Sequence, residues 1–149
     1  MNQVLATAAP IALILLIYAL IWCVVLTLIG RASGWWTLAK KYRSTGRFEG
    51  SRWRFQHLQM RWSCNYSGCV TVGASAEGLY LGLIPWFDIG HPKLFIPWAD
   101  TKVEMKHTRW TGEYMEITFP KVPGTVVRFG ERLAKRIAST FNTNPPATV

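Results

Sequence analysis

The chain is poor in acidic residues, with 8 against 17 basic ones, and its first 30 residues carry no charged side chain. Half of its 149 residues are hydrophobic, which excludes a disordered tail or a nucleic-acid-binding arm as its main content. The basic excess is local, because the stretch from Arg31 to Arg61 holds eight basic residues and a single acidic one, Glu49. This excess follows an apolar run and does not cover a DNA-sized face, so we expect no nucleic-acid partner.

The apolar run, residues 11–29, contains no charged residue, and Tyr18 and Thr27 are its mildly polar members. As a helix it would be about 28 Å long, close to the ~30 Å hydrocarbon core of a bilayer. The preceding MNQVLATAAP lacks the lysine or arginine of a signal peptide, and the run is longer than a signal-peptide core. The sequence therefore predicts a retained transmembrane helix over residues 11–30, after a short N-terminal tail of residues 1–10.

The flanking charges predict the orientation of this span. Basic residues close to a span stay on the cytoplasmic side of the membrane, and here all of them follow the helix. We expect the N-terminus outside and the rest of the chain in the cytoplasm, in a single-pass protein of the bacterial inner (cytoplasmic) membrane.

Residues 31–50 form a basic and aromatic juxtamembrane segment. On a helix beginning near Ser33, one face would be aromatic and apolar, and basic side chains would project from the other. Aromatic rings suit the headgroup level of a bilayer, and each basic side chain attracts anionic lipid by roughly 1 kcal/mol. The expected membrane-interface residues are Trp35, Trp36 and Tyr42, and the expected contacts to anionic lipid are Arg31, Lys40, Lys41, Arg43 and Arg47. The alternative is that these residues only anchor the span and set its topology.

Beyond Gly50 the apolar residues alternate, as strands require. About seven short strands, with turn signals every eight to twelve residues, predict an antiparallel sandwich or barrel. The alternation slips near Gln56 or His57, which predicts a β-bulge. NYSG (residues 65–68) predicts a hairpin turn after this strand. An apolar stripe in residues 131–141 predicts a closing helix, so the β domain covers residues 51–141, and the tail 142–149 is expected to be disordered.

Seven strands and a closing helix are the element order of a pleckstrin-homology-like (PH-like) domain. VTVGASAEGLYL and LFIPWADTKVEM resemble the GRAM and bacterial PH-like pattern, in which a Gly-Leu-x-Leu strand precedes an Ile-Pro-Trp-type strand that ends in Asp. The chain also resembles small uncharacterised bacterial proteins with one membrane helix, a GWW-LA juxtamembrane stretch and a β domain. These resemblances imply a PH-like fold for about residues 52–141, and no activity. Lipid-binding PH domains concentrate basic residues in the first hairpin turn, and NYSG departs from that pattern.

The cysteines and histidines are the candidate ligands and nucleophiles. Cys64 and Cys69 flank the predicted turn, where free thiols, a disulfide and a metal site remain open, and the reducing cytoplasm favours free thiols. The three histidines lack metal-ligand spacing. Asp88 and His91, in FDIGHPK, have no nucleophile in a suitable motif beside them, which favours a turn. We therefore expect no catalytic residue, no metal and no cofactor, and a protein that is not an enzyme.

Two tryptophans are expected in loops, Trp86 in IPWFDIG and Trp110 in HTRWTG. Exposed aromatic side chains often mark partner contacts, although these two would also fit a role in closing the barrel ends. A single span offers no transport pathway of its own. The favoured hypothesis is an accessory subunit of a larger integral-membrane complex, of respiratory or photosynthetic type, whose partners are other membrane subunits. The alternative is a membrane-surface module that binds anionic lipid through its juxtamembrane segment.

Overall fold

The computed structural model describes residues 2–61, 64–110 and 112–141. In chain order the elements are α1 (Asn2–Ala32), α2 (Trp35–Tyr42), β1 (Ser51–Met60), β2 (Cys64–Ala74), β3 (Gly78–Leu83), β4 (Leu94–Pro97), β5 (Lys102–Thr108), β6 (Gly112–Thr118), β7 (Val126–Gly130) and α3 (Glu131–Phe141). The predictions of one long apolar helix, seven antiparallel strands and a C-terminal helix are confirmed.

Helix α1 is longer than the predicted span. It begins at Asn2, so the segment expected as an N-terminal tail is helical, and Pro10 lies inside the helix. The 31 residues extend for about 46 Å along the helix axis. The portion Ala8–Ala32 is long and apolar enough to cross a membrane.

The seven strands form one antiparallel sheet in the order β4-β3-β2-β1-β7-β6-β5, which curls into a half-barrel. Strand β1 joins the two halves, because it pairs with β2 on one side and with β7 on the other. Strands β4 and β5 are the edges, and a 3-10 turn at Trp98–Asp100 connects them. Pro97 ends edge strand β4, where its missing N–H costs no ladder hydrogen bond.

The first hairpin differs from the prediction. The segment NYSG lies inside β2, where Tyr66 pairs with Leu58 and its side chain is buried, so the expected turn at residues 65–68 is wrong. The register of β1 against β2 shifts on both sides of Gln56, as the predicted bulge requires. Positive φ angles at Phe55 (57°) and Gly68 (68°) accommodate these shifts. Gly68 therefore serves a bulge and not a turn.

Cys64 and Cys69 consequently lie on one strand instead of facing each other across a turn. Both thiols are free, which removes the disulfide alternative. Burial raises the pKa of the Cys69 thiol, so this side chain stays protonated near neutral pH.

The core fills the half-barrel from two sides. Helix α2 contributes Trp35, Leu38, Ala39 and Tyr42, all buried against the inner face of the sheet. At the other side, α3 packs on β6 and β7, with Leu133, Ala134 and Ile137 buried. The apolar stripe expected on the closing helix is thus found at Leu133 and Ile137, while the side chain of Phe141 lies outside the described residues, as does the tail 142–149.

Candidate membrane and partner interface

The first feature of the interface is the bare surface of α1. From Ile11 to Ile21 every large apolar side chain is exposed, for example those of Leu16, Tyr18 and Leu20. Successive helix residues point about 100° apart, so this exposure extends around the whole circumference. A helix that is apolar on every side needs an apolar surrounding, supplied by lipid or by other helices.

The last third of α1 is covered on one side by a loop of the β domain, residues 84–92, which we call the docking loop. The Phe87 ring packs edge-on against Trp22, with 5.7 Å between the ring centroids. A methyl group added at Gly90 would lie 2.9 Å from the Cα of Thr27, and one added at Gly30 would lie 2.8 Å from the Gly90 carbonyl oxygen. Backbone therefore meets backbone where the docking loop contacts α1 at Gly30 and Gly90, a contact that we call the joint. A side chain at either glycine would force the helix and the loop apart.

A buried polar cluster holds the same joint together. Tyr66 of β2 places its Oη 2.8 Å from the Ser33 Oγ and 3.0 Å from the His91 Nε2. Ser33 directly follows α1 and His91 lies near the end of the docking loop, so one hydroxyl group connects the end of α1, the sheet and the loop. Both Ser33 and His91 are fully buried.

The ionisation of this cluster follows from its burial. Burial lowers the pKa of His91 and raises the pKa of Tyr66 to about 12, so both side chains are neutral near pH 7. The His91 Nδ1 lies 3.1 Å from the Ile89 carbonyl oxygen, which can only accept, so Nδ1 carries the ring proton. The Nε2 is then an acceptor, and the single proton of the Tyr66 hydroxyl group has two alternative acceptors, the His91 Nε2 and the Ser33 Oγ.

Two of the three residues expected at the membrane interface lie instead in the protein core. Trp35 is fully buried beside Tyr66 and His91, and its Nε1 donates a hydrogen bond to the Pro92 carbonyl oxygen at 2.8 Å. Tyr42 is buried and donates to the Asp100 Oδ2 at 3.1 Å, and burial, followed by this hydrogen bond, raises its pKa. The apolar face of α2, expected against lipid, packs against the sheet.

Trp36, the third of these residues, lies next to the basic side chains. It is half-buried, and the Arg31 guanidinium lies 5.9 Å from the centroid of its ring. All five side chains expected to contact anionic lipid are exposed: Arg31, Lys40, Lys41, Arg43 and Arg47.

A polar pocket of about 410 Å³ lies between α2 and the docking loop, lined in part by Trp36, Arg43, Asp88 and Lys93. The Trp36 Nε1 and the Asp88 Oδ1 are both buried, and neither has a hydrogen-bond partner within the described part of the chain. The pocket thus offers two cationic side chains, Arg43 and Lys93, to a small anionic group.

The two tryptophans expected as partner contacts are both exposed, Trp86 at 80% and Trp110 at 90%. Trp86 lies in the docking loop, one residue before Phe87. Trp110 lies between β5 and β6, so the two belong to different parts of the fold. Among residues 2–61, 64–110 and 112–141, no group of three His, Cys, Asp or Glu side chains could hold a metal ion.

The patterns of the sequence do not single out the residues that build the joint. Tyr66 belongs to the segment expected as a turn, His91 to a predicted loop, and Ser33 to the predicted start of a helix. Tyr66 is 33 positions from Ser33 and 25 from His91 along the chain, and no local pattern connects them. The available signal is the Gly-His pair in FDIGHPK, because a glycine allows the loop backbone beside the histidine to pack closely.

Compared with known proteins, the chain matches no family model, no curated protein and no solved structure.

Proposed function

We propose that the chain is a non-catalytic accessory subunit of a larger integral-membrane complex, of respiratory or photosynthetic type. In this proposal α1 is the anchor in a bacterial inner membrane, its N-terminus is outside, and the β domain is a PH-like module on the cytoplasmic side. The function is binding and positioning, and no residue is assigned a catalytic role.

The observation that carries this proposal is the close-packed joint between α1 and the β domain. A domain that needs only to be near a membrane can be attached to its anchor by a flexible linker. Here the backbone contacts at Gly30 and Gly90 and the buried Ser33–Tyr66–His91 cluster fix the domain on the span. A fixed height and direction are of use when the domain has to fit against neighbours in an assembly.

The surface of the chain supports the same proposal. Helix α1 is apolar around its circumference over more than two turns, and neighbouring helices could cover it as well as lipid. Trp110, exposed between β5 and β6, is a side chain of the type that anchors protein interfaces.

The test is purification of the tagged full chain in a mild detergent, followed by mass spectrometry and a native gel. We expect a defined set of integral-membrane proteins to copurify. Trp110→Ala should reduce their yield, whereas Lys102→Ala, an exposed change on β5, should leave it unchanged. A chain that migrates alone on the native gel would contradict the proposal.

Anionic-lipid binding is a second candidate, favoured by the exposed basic residues and the polar pocket beside Trp36. Each exposed cation near an anionic surface contributes roughly 1 kcal/mol at low salt, and screening reduces this contribution. In nanodiscs containing the full chain, spin-labelled phosphatidylglycerol should be immobilised in preference to phosphatidylcholine. Lys40→Glu/Lys41→Glu should reduce that preference, and Arg132→Glu on α3 serves as the matched control. An equal preference for the two lipids at low salt would contradict this candidate.

A further inference from the structure

From His91 back to Phe87, the docking loop runs alongside α1, from the C-terminal end of the helix towards the middle of its apolar segment. His91 lies against Gly30, Gly90 against Thr27, and Phe87 against Trp22. From Gly30 to Trp22 the distance along the helix axis is about 12 Å. The loop therefore lies alongside α1 over this distance and does not extend away from the helix.

The exposed side chains at the tip of this loop, residues 86–89, are apolar. Trp86 is 80% exposed and Ile89 is 43% exposed, while Phe87 is half-buried against Trp22. Asp88 is the one charged residue of IPWFDIG; the residue is half-buried, and its Oδ1 is buried within the protein. Apart from the exposed part of Asp88, the surface that the tip of the loop presents to its surroundings is suited to hydrocarbon.

The level of the bilayer can be read from the opposite side of α1. There the exposed side chains remain apolar as far as Leu28, with Val25 before it, and the first charged residue is Arg31. If hydrocarbon covers these residues, it reaches the level of Leu28. Trp22 then lies about 9 Å deeper, and the tip of the docking loop lies beside it.

Part of the backbone of the loop has the internal partners that such a position requires. A polar backbone group in hydrocarbon needs an internal partner. The Ile84 N–H donates to the Cys69 carbonyl oxygen at 3.0 Å, and the Phe87 N–H donates to the Ile84 carbonyl oxygen at 2.9 Å. Pro85 has no N–H to satisfy, and its carbonyl oxygen accepts a hydrogen bond from the Asp88 N–H.

We propose that residues Ile84–Gly90 form a membrane-inserted loop, with Trp86 and Ile89 in the hydrocarbon of the leaflet that adjoins the β domain. The loop and α1 then form a two-part anchor, which prevents the domain from rotating about the span. This inference does not depend on a partner subunit. It also assigns Trp86, expected from the sequence to contact a partner, to the bilayer.

The experiment measures the depth of a fluorophore at position 86 in the full chain. In a Cys23→Ala/Cys64→Ala/Cys69→Ala background, Trp86→Cys is labelled with an NBD group and placed in phosphatidylcholine nanodiscs, which leave both faces open to solvent. Trp110→Cys is the matched control, because it also replaces an exposed loop tryptophan. Circular dichroism checks that each variant keeps the fold, and Ile89→Cys provides a second labelled position.

We expect nitroxides on the lipid acyl chains to quench the label at position 86 several-fold more strongly than the label at position 110, and aqueous iodide to show the opposite order. The label at position 89 should behave like that at position 86. Equal iodide quenching at positions 86 and 110 would overturn the proposal, because it places the loop in water. Protection from both quenchers would also overturn it, because it indicates that protein, such as a second copy of the chain, covers the loop.

Discussion

The hydroxyl group of Tyr66 provides the sharpest perturbation of the joint, because Tyr66→Phe removes one oxygen atom and leaves the ring in place. The ring still packs against Trp35 and His91, with centroids 5.8 and 5.6 Å away. Ser33 keeps its own hydrogen bond to the Gly30 carbonyl oxygen, at 3.3 Å. The His91 Nε2 is then the buried atom left without a partner.

The cost of that change can be estimated from the structure. A buried acceptor without a partner costs about 1–3 kcal/mol, and we take roughly 2 kcal/mol for this fully buried site. Because about 1.4 kcal/mol corresponds to a factor of ten, the opening equilibrium of the joint should rise roughly 30-fold. The expected effect is local, on the docking loop and the end of α1.

Hydrogen exchange followed by mass spectrometry measures this opening directly in the full chain. The His91 N–H donates to the Asp88 carbonyl oxygen at 3.0 Å, so its exchange reports on the docking loop. Tyr80→Phe is the matched control, because that ring is also buried but stacks on Phe48, away from the joint. If the amides of the docking loop in Tyr66→Phe exchange at a rate within about twofold of the wild-type rate, the reasoning is refuted.

Three further predictions concern the joint and the sheet. Burial lowers the pKa of His91 below 6.5, so the unfolded chain binds a proton at this residue more readily than the folded chain. The contribution of His91 to stability should therefore be constant above pH 6.5 and fall as the pH drops below it. In thermal melts, His91→Gln should reduce that fall. Gly90→Ala, at φ 74° and against α1, should lower the stability by about 1–3 kcal/mol, whereas Gly46→Ala, in open space, should not; equal melting temperatures would contradict the close approach. Glu116→Gln should cost on the order of 1 kcal/mol, because it weakens the contacts of Glu116 with Lys106 and Arg128. Glu104→Gln, at a half-buried and more accessible carboxylate, should cost less in a denaturant titration.

Much of the fold follows from patterns that are local in the sequence. The uncharged run predicts the apolar helix, and the alternation beyond Gly50 predicts the strands. The slip near Gln56 predicts a bulge that the register of β1 against β2 contains. Each of these features depends on residues that are close together in the sequence, which is the range over which periodicity carries information.

The errors arise where the same pattern has two physical solutions. The apolar face of α2 that contains Trp35 and Tyr42 is predicted correctly, but such a face can be buried by lipid or by protein, and the sequence does not distinguish them. NYSG contains turn-forming residues, but Gly68 supplies a positive φ inside a bulged strand. The Ser33–Tyr66–His91 cluster depends on contacts between distant segments, so only the folded chain brings it together.

The central claim is that the β domain is fixed on the end of α1, and a distance distribution between the two tests it most directly. Spin labels at Leu20→Cys on α1 and Arg132→Cys on α3, in the cysteine-free background and in nanodiscs, would be measured by pulsed electron paramagnetic resonance. Arg54→Cys with Arg132→Cys, both within the β domain, gives the width expected of a rigid pair. A fixed joint predicts a single distance as narrow as that of the control pair, and a broad distribution between span and domain would contradict it.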